Sequence, residues 1–493
     1  MKKIISLTLV LLMCLSVLAS CNTASSPESS STPPQSSSEP ESSANGIGVE
    51  MPTPQNLDRE MSIFVGELHY EEWLDKDDGD ILNTELYHRV TRVEKNLGIE
   101  LTTNRIPGTG GFRDQVYTEV VKYCESTDPN MKADLCSTYS WWAGSLALEG
   151  RYMNIAASDN IDFEKPYWPE DIINGLSMEG KIYNVSGDIS PTLLWETYCI
   201  LFNVKLIEQF NVDNPIDLVN KNEWTLDKVI ELTKNVYVDE NKETVGPSIG
   251  DIFGLTFSDS AHIKAFPFAL GLRVLETDDD NGYALSELYS GEKADGIVTK
   301  IRNWINDNDG IAVGGMTPGM GYGGSFIKDQ ALFNVGNFAF TKYYLTGTGV
   351  EFGVVPCPKF EKNQDSYYSY YGNPSAFWGV PCNVESLDDS CALLESLAAD
   401  AYINISPVLF ERALKHKYTP NDASGQSRMF DIIRDGLVFD PCMLYNETLT
   451  KYQRWEEIVN NTGAWSNYFN GFSILAWNRQ IETIVEKLRA LPY

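Results

Sequence analysis

Between residues 61 and 148 the apolar positions switch repeatedly between two spacings. Residues 61–65, Met-Ser-Ile-Phe-Val, form a short apolar run of strand length. Leu82, Leu86, Val90, Val93 and Leu97 then recur every three or four positions, which is one face of a helix, and Gly98 stands where a helix ends in left-handed backbone. Residues 99–106 read as a second strand. Phe112, Val116, Val120 and Tyr123 give a second helical stripe, residues 133–137 a third strand, and the stretch near Trp142 to Leu148 a third helix. Strand and helix in alternation at this length predict a parallel α/β sheet. Ligands of such sheets bind beyond the carboxyl ends of the strands. Those ends carry Gly66-Glu-Leu-His-Tyr70, Pro107-Gly-Thr-Gly-Gly111 and Thr138-Tyr-Ser-Trp-Trp142.

A second α/β section opens with the apolar residues 199–203. Thr225 is placed as the N-cap of a helix whose stripe is Val229, Leu232 and Val236. Residues 310–324 form a long glycine-rich loop without G-x-G-x-x-G between a strand and a helix, which excludes a nucleotide-binding reading. The C-terminal part is helical, and its last helix carries Ile474, Trp477, Ile481, Ile484, Val485 and Leu488 on one face. After residue 20 no run of 18 or more apolar residues occurs.

The N-terminus follows a different rule. Lys2 and Lys3 precede an apolar run from Ile4 to Leu18, too short for a stable membrane span, and Leu18-Ala-Ser-Cys21 closes it. This resembles the lipobox of bacterial lipoproteins, which implies a signal over residues 1–20 and lipid on Cys21, the first mature residue. Each buried CH₂ of an acyl chain gains about 0.8 kcal/mol in a bilayer. Residues 22–57 are dominated by Ser, Pro, Glu and Thr and have almost nothing to bury, so they are expected to be a disordered tether. A flexible coil of roughly 30 residues reaches about 30 Å. The expected location is the extracellular face of the cell membrane.

The 493 residues suffice for two or three domains. With 69 acidic against 38 basic residues the net charge is −31, which argues against nucleic acid and against docking on anionic lipid through a basic surface. Of nine cysteines, Cys14 lies in the signal and Cys21 is the anchor. Cys124, Cys136, Cys199, Cys357, Cys382, Cys391 and Cys442 show neither C-x-x-C nor zinc spacing, and most sit among apolar residues as small hydrophobes. No pattern supports a bridge such as Cys382–Cys391.

An ordered set of short motifs then appears: Gly180-Lys-Ile-Tyr183, Gly187-Asp188, Trp195-Glu-Thr-Tyr-Cys-Ile-Leu-Phe-Asn203 and Glu223-Trp-Thr-Leu-Asp-Lys228. Phe326-Ile-Lys-Asp-Gln-Ala-Leu-Phe333, Phe352-Gly-Val-Val-Pro-Cys-Pro-Lys359, Trp378-Gly-Val-Pro381 and Leu414-Lys-His-Lys-Tyr418 follow. In this order the chain, from about residue 58 to its end, resembles the family 1 extracellular solute-binding lipoproteins, the substrate-capturing components of sugar ABC importers. The resemblance implies two α/β lobes of the type II periplasmic-binding-protein class, joined by a hinge crossed several times, with the ligand in the cleft between them. The expected division is residues 58–190 plus 355–400 for the first lobe and 191–354 plus 401–493 for the second. Residues 353–356 are expected to carry the chain back to the first.

Aromatic residues are the main chemical signal: 11 Trp, 25 Tyr and 21 Phe. The C–H faces of a pyranose pack on flat rings while its hydroxyls reach in-plane polar groups. Tyr139, Trp141, Trp142, Trp195, Tyr371 and Trp378 are the candidate rings, and Glu67, Asp188 and Asn373 the candidate hydroxyl partners. Trp224 and Trp477 fall in helical patterns and read as structural. Of the four histidines, His69 follows a strand at the expected cleft, and His88 and His416 fall in predicted helices. No G-x-S-x-G, H-E-x-x-H or metal-cluster spacing occurs, and the acidic turns at 278–282 and 306–310 lack the EF-hand pattern.

The expectation is therefore a monomeric binding protein, not an enzyme, without cofactor or metal. Its partners would be a mono- or oligosaccharide, the permease subunits of an ABC transporter, and the membrane through Cys21. Sixty-nine carboxylates make some pair at glycosidase spacing inevitable, so an anchored carbohydrate-active enzyme stands as the alternative, beside a surface sensing or adhesion module.

Overall fold

The apolar runs of the N-terminal third lie side by side as parallel strands. In the computed structural model, residues 48–107, 115–128, 131, 133–240, 242, 247–248, 250–258, 260–278, 282–313, 323–410, 425–449 and 463–492 are described. The lipobox with Cys21, Phe112, His416, most of the glycine-rich loop and Leu414 to Tyr418 lie outside them. Residues 49–493 form one compact unit, which corrects the expected end of the tether: Val49, Met51 and Leu57 pack on the core, and the Gln55 and Leu57 amides donate to the Asn96 and Leu97 carbonyls at 2.9 Å.

The chain lays down β1 (Arg59–Gly66), β2 (Ile99–Ile106) and β3 (Leu135–Tyr139), then leaves for β4 (Tyr198–Asn203) and β5 (Phe253–Phe257). A separate hairpin, β6 (Leu275–Asp278) and β7 (Gly282–Leu285), precedes β8 (Ile311–Ala312), β9 (Ala331–Asn337) and β10 (Phe352–Val355). The last strand is β11 (Ala376–Gly379). The first sheet has the order β11-β3-β1-β2 and the second β10-β4-β9-β5-β8. β1 is parallel to β2 and β3, and β11 is antiparallel to β3. In the second sheet β5 is parallel to β8 and β9, and β4 runs antiparallel to β9 and β10. Every residue of β3, β4 and β9 is buried, the mark of strands covered on both faces, whereas β2 at the edge keeps polar exposed positions.

Helices cover these faces. α1 (Ile81–Leu97) starts at Asp80, whose carboxylate accepts from the amides of Leu82 and Asn83, and ends at Gly98 with φ 63°. α2 (Gln115–Glu125) and α3 (Ser140–Leu148) follow, then the one-turn α4 (Pro191–Trp195), with proline in its first turn. α5 (Leu226–Thr233) is capped by Thr225, whose hydroxyl accepts from the Lys228 amide. α6 (Glu292–Asn306), α7 (Leu387–Asp400) and α8 (Gly471–Ala490) complete the helices used below.

Two further expectations are corrected. β10 is the edge strand of the second sheet, so the return crossing follows Val355 and does not occupy 353–356. α8 packs on the β6–β7 hairpin and also on α3. The carbonyls of Leu491 and Pro492 accept from Lys181 Nζ and the Tyr183 hydroxyl, so the C-terminus clasps the chain ahead of the hinge as well. By length and composition the helical stretch Leu387–Phe410 could cross a membrane, but 78% of its most apolar window is buried within the protein, where it is a core helix.

Candidate functional site

The hinge begins where α4 hands the chain from the first sheet to the second. The Tyr198 amide donates to the Tyr370 carbonyl at 2.8 Å and the Gly372 amide to the Glu196 carbonyl at 2.9 Å. Residues 196–198 and 370–372 therefore form a two-strand ribbon, with Thr197 paired to Tyr371, through which the chain leaves and returns. On one side of α4 lies a cavity of ≈ 300 Å³ to which both lobes contribute. Glu67, Leu68 and Glu71, just past the carboxyl end of β1, form one wall. Trp195, Glu196 and Pro374 form the floor, and Lys342 and Tyr343, just past β9, form the other wall.

Leu193 and Leu194 face the opposite side of α4, a second hollow of ≈ 380 Å³. Two larger hollows, ≈ 600 Å³ beside β2 and ≈ 940 Å³ between α5 and α6, are each bounded by one lobe only.

The two walls of the 300 Å³ cavity are tied together. The Lys342 ammonium and the Tyr343 hydroxyl both reach Glu71 Oε2. Burial alone would push the Glu71 carboxyl up, but these two partners hold it below its usual range. Lys342 also lies 5.2 Å from the centre of the Trp195 ring. Glu196 is the other electrostatically distinctive group. Desolvation pushes its carboxyl up to about 7, against the Asn337 amide that donates to Oε2 at 2.8 Å.

A raised carboxylate pKa means that the contribution of Glu196 to stability is complete below its ordinary 4.5 and is lost as pH rises through about 7. Glu196→Gln keeps an acceptor for Asn337 and carries no charge. Relative to this variant, the wild type is expected to lose ~1–2 kcal/mol between pH 5 and pH 8, the side chain's partial access to water reducing the full effect. Urea unfolding at the two pH values measures it, and parallel pH profiles would contradict the assignment.

The sequence candidates separate into three groups. Glu67 and Trp195 line the cavity. Tyr139 and Trp141 stand at the carboxyl end of β3, ring to ring at 5.2 Å, with Asn373 close by, its carbonyl accepting from the Ser140 hydroxyl. The Trp141 Nε1 has no hydrogen-bond partner among the described residues.

The remaining four correct the expectation. Trp378 is 0% exposed, donates Nε1–H to the Ser190 hydroxyl at 2.7 Å and packs on Trp73, so neither ring face is left for a ligand. Trp142 is buried against Tyr117 between α2 and α3, and Tyr371 is buried against Tyr370, itself stacked on Phe268. Asp188 lines the second hollow, accepts from the Ser406 hydroxyl and lies 3.7 Å from Arg434; burial raises its pKa against both. His69 is buried in the first lobe, between the Pro374 carbonyl and the Ser137 hydroxyl.

Glu71, Lys342 and Tyr343 were not singled out in the sequence. Lys342-Tyr-Tyr344 is an aromatic cluster beside a cation, but only the fold brings it across from residue 71.

No protein-family model matches the chain, and no curated protein matches it by sequence. Solved structures do match. An ABC substrate-binding protein from Listeria monocytogenes in complex with cycloalternan is 12% identical, with a TM-score of 0.53 over 88% of this chain and 99% of that one. The GacH receptor of Streptomyces glaucescens, solved unliganded and with acarbose, is 11% identical, TM-score 0.51, over 89% and 100%. The cyclic α-maltosyl-1,6-maltose binding protein from Arthrobacter globiformis is 13% identical, TM-score 0.51, over 87% and 99%. The chain has the two-lobed periplasmic-binding-protein fold. In this binding-protein fold the cavity at α4 occupies the inter-lobe cleft, and the ribbon of residues 196–198 and 370–372 is its hinge.

Proposed function

We propose that the protein is a solute-binding protein that captures an extracellular carbohydrate and delivers it to the permease of an ABC importer. One observation carries this reading: the cavity at the hinge is bounded by both lobes and combines a tryptophan face with carboxylates able to accept from sugar hydroxyls. The similar structures are carbohydrate-binding proteins, which agrees with it. Trp195 and Glu67 are the first contacts in this proposal, with Tyr139, Trp141 and Asn373 extending the site for a longer ligand. Closure is a population shift toward the state that buries the solute, limited by the ligand's differential affinity for the two states. Nothing covalent occurs. Cys21 carries the lipid, the stretch between it and residue 49 acts as the tether, and the body works outside the cell.

The Glu196 carboxyl, near neutral pKa in a cleft that also holds Glu67, is the one observation that favours the glycosidase alternative.

A thermal-shift screen of the chain from residue 46 against mono- and oligosaccharides tests both. A ligand at 100-fold its Kd is expected to stabilise by about 2.7 kcal/mol, and chromatography of the same mixtures to show the sugar intact. A flat response to every sugar with a shift on peptides overturns the carbohydrate reading, and shortened products overturn the binding reading.

A further inference from the structure

The expectation for the cysteines was that they are small core residues without a bridging pattern. Cys136, Cys199, Cys357, Cys391 and Cys442 fit it, being buried. Cys124 and Cys382 do not: both are partly exposed, and they meet. Cys124 lies in the last turn of α2, and Cys382 three residues beyond β11.

Three strips of chain are fastened together at this point. The Cys382 amide donates to the Arg151 carbonyl at 2.8 Å, and the Cys124 thiol donates to the same oxygen at 3.3 Å. The Asn383 side chain donates to the Tyr123 carbonyl at 2.6 Å, and the Met153 amide to the Val380 carbonyl at 2.8 Å. The Cys124 thiol and the Cys382 amide thus converge on one carbonyl oxygen, and Cys382 is near enough to act on the Cys124 thiol. Cys391 is turned elsewhere, its thiol on the Ile155 carbonyl, so Cys382 and Cys391 are not partners.

We propose that Cys124 and Cys382 form a disulfide bond under oxidising conditions, a modification site that staples the first lobe on its far side from the cleft-lining residues. The hydrogen bonds around the pair hold the two strips of backbone side by side without it, so the bond would join segments already in place. The loop it closes contains the whole second sheet, a long segment whose freedom in the unfolded chain the bond restricts.

The oxidant is a small disulfide such as oxidised glutathione. One thiolate attacks it, giving a mixed disulfide and one free thiol. The second cysteine attacks the mixed disulfide and expels the other thiol. Two protein thiols lose two protons and two electrons, and the small disulfide gains both. Burial pushes the Cys124 thiol up to about 12, so the exchange is slow at neutral pH.

The test is peptide mapping by mass spectrometry of the full chain, held in oxidised glutathione or in dithiothreitol, then denatured and alkylated. A cross-linked peptide pair holding Cys124 and Cys382 is expected in the first sample and its loss in the second, with the five buried cysteines alkylated in both. Cys124→Ser and Cys382→Ser are each expected to carry glutathione on the remaining thiol. The melting temperature of the wild type is expected to rise by several degrees on oxidation and that of the double serine variant to stay fixed. Full alkylation of both cysteines after prolonged oxidation overturns the proposal, as does either one paired with a different cysteine. The wild-type map decides the matter even where a serine variant fails to fold.

Discussion

Arg89→Met is expected to lower the free energy of unfolding by about 3–5 kcal/mol, because it strips two buried carbonyls of their charged donor and removes the cation nearest a buried carboxylate. Arg89 is 0% exposed in the middle of α1. Its guanidinium donates to the Ile189 carbonyl at 3.0 Å and the Glu72 carbonyl at 2.9 Å, and lies 4.2 Å from the centre of the Trp73 ring. The Glu72 carboxylate is buried beside it and accepts from the Thr192 amide in the first turn of α4. Arg89 thus joins the turn after β1 to the entry of the hinge helix, and two carbonyls lose their donor when it goes.

Arg89→Lys keeps the charge but not the two-pronged donor, and about half the loss is expected from it. Pairing Arg89→Met with Glu72→Gln removes the orphaned charge and is expected to recover at least ~1 kcal/mol relative to the sum of the single variants. Urea unfolding of the wild type and the four variants measures these differences. Strict additivity would show that the two side chains do not interact and that the loss comes from packing alone.

Arg89 also marks where sequence periodicity stops being informative. The spacing of Leu82, Leu86, Val90, Val93 and Leu97 located α1, its end at Gly98 and its inward face. Yet the innermost position of the middle turn is Arg89, and Val90 is only partly buried. A stripe records which residues are apolar, and a buried arginine that donates to two carbonyls and lies over a ring breaks the pattern without breaking the helix. The strands were legible for the converse reason: β3, β4 and β9 are covered on both faces, so their apolar runs are continuous. β10 has the same composition, and only its register against β4 assigns it to the second sheet.

The tryptophans show the limit for the site. Trp195 and Trp378 both border the hinge in sequence, one before each sheet crossing or just after it. Trp378 sits on the antiparallel edge strand, with its ring turned into the first lobe onto Trp73. Trp195 ends a helix of one turn, whose alternate faces look into two different hollows. Which ring meets solvent depends on the direction of a side chain from its element, and composition carries no trace of that. The contact of Glu71 with Lys342 and Tyr343 was illegible for a related reason, since it joins residues that only the folding of both lobes brings together.

Trp195→Leu is expected to weaken sugar binding about 30-fold or more, the loss of at least ~2 kcal/mol that an aromatic anchor in a desolvated site supplies. The ring is 7% exposed here, with the Lys342 ammonium over it and the Glu71 carboxylate beyond. A sugar stacking on the indole must therefore move Lys342 aside, and the ion pair with Glu71 is exposed enough to yield at little cost. Leucine fills part of the volume and keeps an apolar floor, which alanine would not; alanine would add a cavity cost of about 3–5 kcal/mol to the fold itself. Trp195→Phe retains a flat face of smaller area, and a loss of only several-fold is expected. Lys342→Met removes the competitor for the ring while leaving the wall apolar, and is expected to bind at least as tightly as the wild type. Titration calorimetry on the four proteins, each first shown to unfold at a comparable temperature, gives the ranking. If leucine binds as well as tryptophan, the indole takes no part in recognition, and Tyr139 and Trp141 at the carboxyl end of β3 become the candidates.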